Sequence, residues 1–82
     1  MKRTELPEGT RVRLTAYVER FPSFSVEAGG LGTVTFNDPD SLCIQMDEHI
    51  HGGEDWDNEI VWSPEDDQDF ENPPLALAGG PR

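Results

Sequence analysis

The sequence predicts a small, mainly β domain, a barrel or sandwich of short antiparallel strands, and three observations predict it. Four runs of residues alternate apolar with polar side chains at the two-residue period of a half-buried strand. Turn chemistry rich in Gly, Asp, Asn and Pro lies between these runs. Eighty-two residues with a single cysteine, Cys43, leave room for one core and for no internal disulfide. No Cys/His spacing offers a structural zinc, so the fold must rest on that core.

Taken in order, GTRVRLT (9–15) places Val12 and Leu14 on one face and Arg11 and Arg13 on the other. The next segment, AYVERFPSFSVEAGG (16–30), is long for a hairpin, and Pro22 with its aromatic and β-branched neighbours disfavours a helix. Tyr17, Val18, Phe21, Phe24 and Val26 need burial, which predicts an ordered excursion folded against the mouth of the barrel. LGTVTF (31–36) alternates with Val34 and Phe36 inward and two threonines outward, and NDPD (37–40) is a dense turn signal. SLCIQMD (41–47) then turns Leu42, Ile44 and Met46 inward and Cys43 and Gln45 outward. After the break at HGG (51–53), WDNEIVW (56–62) closes the series with Trp56, Ile60 and Trp62 in phase. The expected core is Val12, Leu14, Val34, Phe36, Leu42, Ile44, Ile60 and Trp62.

Beyond Trp62 the character changes. SPEDDQDF (63–70) reads as a helix start, with Ser63 as N-cap, Pro64 at the first helical position, and Phe70 reaching back to the core. ENPPLALAGGPR (71–82) has too little to bury and is expected to be disordered, so that deleting residues 72–82 leaves thermal stability nearly unchanged.

EGTRVRLT, a long loop, and then AGGLGTVTF resemble the opening of an SH3-like barrel of the KOW type. That opening is a Gly-x-x-Val strand, a long first loop, and a Gly-x-x-Gly-x-Val turn into the second strand. Gly9 and Val12 match the first part, and Gly29, Gly32 and Val34 the second. The chain is also similar to small proteins of actinobacteria and their phages, a likeness that implies no activity. The resemblance covers about residues 8–47 and implies an SH3-like small antiparallel β-barrel with a long first loop; the strand pattern extends that barrel over residues 1–63, followed by a possible short helix at 64–70 and a flexible acidic tail at 71–82. KOW modules that bind RNA carry a basic loop, whereas this one has Glu19, Glu27 and an acidic second half. LTAYVERF does not reproduce the Ala-Leu-Tyr-Asp-Tyr motif of signalling SH3 domains.

Charge is lopsided. Residues 1–20 hold five basic side chains against three acids, while residues 21–82 hold fourteen acids and only Arg82, for a net charge of −11. Between Asp47 and Glu71 there are eleven acids and no lysine or arginine. Such a field repels phosphate backbones and favours basic surfaces. The expected partner is therefore a protein with a basic surface, and neither nucleic acid nor a membrane. No basic segment leads into an apolar run, and no apolar run approaches membrane-spanning length, which together predict a cytoplasmic location.

The densest chemistry is MDEHIHGGEDWDNEIVW (46–62). His49 and His51 with a nearby carboxylate have the donor types of a zinc site, but spacing fixes no third ligand. Asp55, Asp57 and Glu59 sit at the first positions of a calcium loop, yet the sixth position, which needs glycine, is Ile60. No metal and no cofactor are expected. Cys43 has no basic neighbour to activate it, and no Gly-x-Ser-x-Gly surrounds Ser41 or Ser63, so the reading is of a non-enzymatic protein. Two functions remain. One is a protein-binding module whose contacts are Tyr17, Trp56, Asp55, Asp57 and Glu59, since exposed Trp and Tyr favour interface hot spots. The other is a nucleic-acid mimic in which Asp55, Asp57, Glu59 and Asp66 stand in for phosphates. Direct RNA contact through Arg11, Arg13 and Arg20 is a weaker third.

Overall fold

A computed structural model describes residues 1–20, 24–47 and 58–78. After a single 3-10 turn at Arg3–Glu5, the described residues form seven strands. They are β1 (Arg11–Leu14), β2 (Val18–Arg20), β3 (Phe24–Val26), β4 (Leu31–Asp38), β5 (Ser41–Met46), β6 (Glu59–Trp62) and β7 (Leu75–Leu77). Five of them make one antiparallel sheet in the order β6-β5-β4-β1-β7, and β2 and β3 pair as a separate hairpin. The fold is mainly β. Among the described residues no pairing joins β6 to β7, so the sheet is open at both edges.

Alternation does what it predicts in β1, β5 and β6. Val12, Leu14, Leu42, Ile44, Met46, Ile60 and Trp62 are buried, while Arg11, Arg13, Gln45 and Val61 face out. The excursion between β1 and β4 contains the β2–β3 hairpin, which buries Val18 and packs Val26 on the core. Gly29 closes its base in the left-handed region, at φ +98, which costs a glycine little. Its N–H bonds the Leu14 carbonyl at 2.8 Å. Gly32 serves differently. A Cβ there would lie 2.7 Å from the Gln45 carbonyl oxygen and 2.8 Å from Ile44 Cγ2, so β4 and β5 meet at a distance only glycine permits.

The β4–β5 connection is a two-residue turn at Pro39 and Asp40. The Asp38 carboxylate accepts the Asp40 and Ser41 N–H groups at 2.8 and 3.0 Å. From there the register runs Asn37 opposite Leu42 and Phe36 opposite Cys43, then slips so that Val34 faces Ile44. Thr35 is the extra residue of a β-bulge. The bulge corrects one expected core position: Phe36 faces outward and is 42% exposed. Asn37 turns inward in its place, and its amide donates to the carbonyls of Arg3 and Leu6 at 2.8 and 2.7 Å. That anchor holds the N-terminal segment over the sheet, with Leu6 fully buried.

Two further expectations are corrected beyond β6. Residues 63–70 form consecutive turns and no helix. One helix-like bond, Asp67 N–H to the Ser63 carbonyl at 3.0 Å, is made, and then the chain tightens. The Asp67 carboxylate takes the Ser63 N–H at 2.9 Å and Asp66 takes the Ser63 hydroxyl at 3.1 Å, the local side-chain competition that disfavours helices. Phe70 does reach the core, at 2% exposure. Nor are residues 72–78 disordered: β7 pairs antiparallel with β1, burying Leu75 against the same cluster as Val12 and Leu14. The Met1 ammonium caps its outer edge, donating to the carbonyls of Leu75 and Pro73 at 3.1 and 3.3 Å. The expected tail beyond Ala78 lies outside the described residues.

The ends of the chain are fastened through Arg3. Its guanidinium lies 4.7 Å from the centroid of the Phe70 ring and donates to Asn37 Oδ1, the Asp38 carbonyl and Glu71 Oε1 at 3.0, 3.2 and 3.4 Å. The bulge, the N-terminal turn and the segment before β7 therefore meet at one arginine.

Candidate functional site

Because successive residues of a strand face opposite ways, filling the inner face of the sheet leaves a defined outer face for contacts. Its side chains form three rows across the strands. The first is polar, Glu59–Gln45–Thr33–Arg11; the second is Val61–Cys43–Phe36; the third is Leu31–Arg13–Ala76.

The cation of the polar row is neutralised by a neighbour. Arg11 donates to Thr33 Oγ1 at 2.7 Å and forms a two-pronged ion pair with Asp47, one prong at 2.8 Å. The hydrogen bond from Arg11, with its charge, holds the Asp47 carboxyl below the usual carboxylate range and raises the Arg11 guanidinium in turn. A cation engaged in this way is a poor phosphate ligand, which weighs against RNA contact through this strand. At the other end, Glu59 Oε2 accepts from Thr35 Oγ1 at 2.8 Å. The same hydroxyl also donates to the Cys43 carbonyl at 3.2 Å.

The middle row is apolar and open. Phe36 is 42% and Val61 41% exposed, with half-buried Cys43 between them. Burial pushes the Cys43 thiol up and the negative charge of Glu59 pushes it further; a hydrogen bond with Ser41 opposes this, and Asp38 adds a smaller push upward.

Of the five contacts the sequence nominates for a protein partner, the structure describes two. Tyr17 lies in the link between β1 and β2 and is 57% exposed, which corrects its expected burial with the other loop aromatics. Glu59 begins β6, three strands from β1 in the sheet order. Asp55, Trp56, Asp57, His49 and His51 lie outside the described residues. Asp66 of the proposed phosphate mimic is held to Ser63 on its own turn.

Sequence reasoning missed the open apolar row, although a signal for it was present. A two-residue turn at Pro39–Asp40 pairs Asn37 with Leu42, and in that register Ile44 would face Thr35, leaving Val34 outside. Leu42, Ile44 and Val34 can all point inward only if one residue is inserted between positions 34 and 37. That parity conflict demands a bulge to bring Val34 in, and the turn register leaves Phe36 outside, opposite Cys43.

Among the described residues, no three His, Cys, Asp or Glu side chains gather as a metal ion would need. Among the same residues, no helix is long and apolar enough to cross a membrane. No protein-family model, no curated protein and no solved structure matches the chain.

Proposed function

We propose that the chain is a small acidic protein-binding module of the SH3-like type, engaging a basic protein surface through exposed aromatics set among carboxylates. The observation that carries this reading is Tyr17, an aromatic 57% exposed at the head of the long loop in a chain of net charge −11. An exposed tyrosine offers contact area at low entropic cost, and the surrounding charge accelerates encounter with a cationic partner. Connectivity supports the SH3-like part. The first strand of the sheet is flanked on one side by the strand that follows the long loop and on the other by the last strand, the arrangement a small barrel needs in order to curl.

Trp56, Asp55, Asp57 and Glu59 complete the proposed contact set with Tyr17. Basic proteins retained from lysate at low and moderate salt provide the partner for a kinetic test. Trp56→Ala is expected to speed dissociation, whereas replacing Asp55, Asp57 and Glu59 with their amides is expected to slow association and flatten its salt dependence. Equal losses from neutralising these three acids and Asp66, Asp67 and Asp69, with Trp56→Ala silent, would replace the module by a nucleic-acid mimic. Rates indifferent to every substitution would overturn both.

A further inference from the structure

We propose that the outer face of β4, β5 and β6, centred on Phe36, Cys43 and Val61, docks a short protein segment that pairs apolar side chains with lysine or arginine. This inference rests on the protein-binding reading and gives it a second surface, on the sheet itself and away from the β1–β2 link.

Geometry supplies the apolar part. Phe36 lies directly opposite Cys43, and Cys43 directly opposite Val61, so the three side chains share one face on adjacent strands. With strands about 4.8 Å apart, they span a strip roughly 10 Å wide, the width of one peptide segment. The turn at Pro39–Asp40 sets Asn37 inward, onto the N-terminal segment, and Phe36 outward, but nothing in that anchor requires an aromatic at position 36. A solvent-facing residue there would serve the fold equally well. Instead the largest side chain of the outer face stands in the open beside an exposed valine.

Charge selects the occupant. Carboxylates stand on both sides of the row along the strands: Glu59 opposite Gln45, two residues from Cys43, and Asp38 opposite Ser41, two residues from Cys43 on the other side. Arg3 and Arg11 are already engaged, with Glu71 and Asp47, and Arg13 lies a row beyond Arg11, opposite Leu31. A second copy of the chain would bring another net charge of −11 against this face, whereas a lysine or arginine beside an apolar side chain satisfies both features of the strip.

The test is a nuclear magnetic resonance titration of the isotope-labelled full chain with three synthetic twelve-residue peptides, built from leucine and lysine, leucine and glutamate, or glycine and lysine. The leucine–lysine peptide is expected to shift the amides of Thr35, Phe36, Cys43, Glu59 and Val61 and the other two to leave them in place. Phe36→Ser is expected to weaken that binding about tenfold with little change in melting temperature, and Glu59→Gln to weaken it several-fold, most at low salt. Equal shifts of the same amides by the glycine–lysine peptide would overturn the apolar part of the proposal. Leucine–lysine shifts confined to Tyr17 and residues 48–57 would overturn this face while leaving the module reading intact. No binding by either cationic peptide would overturn both. Concentration-dependent dimerisation abolished by Phe36→Ser would assign the strip to a second copy and refute the basic segment.

Discussion

Leu75 and Leu77 stand two residues apart on β7, yet the structure gives them opposite fates, and their alanine variants make a paired test of the fold. Leu75 is 2% exposed and faces Leu14 across the β1–β7 pairing, while Leu77 is 53% exposed. A buried Leu→Ala change loses the transfer free energy of the deleted carbons and leaves a cavity, together about 2–5 kcal/mol. At a short edge strand that relaxes in part, about 3 kcal/mol is the working value. An 82-residue domain holds roughly 4–12 kcal/mol in total, so this single change removes a quarter or more of it. At about 4–8 °C per kcal/mol, Leu75→Ala is expected to lower Tm by about 12–24 °C. Leu77→Ala, mostly in solvent already, is expected to cost under about 1 kcal/mol. Thermal unfolding followed by circular dichroism measures both, and urea titration with an unchanged m-value confirms that the loss lies in the native state. Equal and small shifts for the two variants would refute the docking of β7 and restore the mobile tail that composition suggests.

Two further perturbations report on the sheet and its outer face. Gly32→Ala is expected to cost about 1–3 kcal/mol, because its Cβ must displace the β5 backbone; Gly29→Ala meets no atom within 4 Å and is expected to cost about 1 kcal/mol, from its positive φ alone. Equal chemical-denaturation midpoints for the two would refute the close approach of β4 and β5. Folding raises the Cys43 thiol pKa, so as pH rises the unfolded chain ionises first; stability is level below the ordinary thiol value and falls above it. Alkylation of the native protein is expected to show a midpoint above that of free cysteine, moving down in Glu59→Gln, and a profile matching free cysteine would refute the negative field over the middle row.

What was legible in the sequence is what depends on near neighbours. Alternation placed Val12, Leu14, Leu42, Ile44, Ile60 and Trp62 correctly because each strand needs only its own two-residue period to declare its faces. The turn at Pro39–Asp40 was legible because the Asp38 carboxylate that fixes it is two and three residues from the N–H groups it binds. β7 was not legible. Leu-Ala-Leu after two prolines is too short to argue for a strand, and its burial is supplied by β1 and by the Met1 ammonium, more than sixty residues away. Of the candidate site, Glu59 was legible as an outward acid, but its hydrogen bond to Thr35 depends on the bulge and so on the register of three strands.

The bulge joins the fold to its proposed use. Without it, the turn at Pro39–Asp40 would place Thr33 and Thr35 in the core and Val34 in water, an arrangement the side chains cannot satisfy. Inserting Thr35 restores Val34 to the core while Asn37, set inward opposite Leu42 by the turn, keeps its two backbone hydrogen bonds to the N-terminal segment; it also frees the Thr35 hydroxyl to orient Glu59. Phe36 is the one side chain in this set that gains nothing from the fold, since the turn already sets it opposite Cys43 on the outer face, in solvent. Serine at position 36 therefore separates the fold from the surface it carries. It leaves Val34 buried, Asn37 bonded and Glu59 oriented, and removes only the aromatic surface on which the proposed docking depends. Stability retained with binding lost places Phe36 in function, whereas stability lost with it would return Phe36 to the service of the fold.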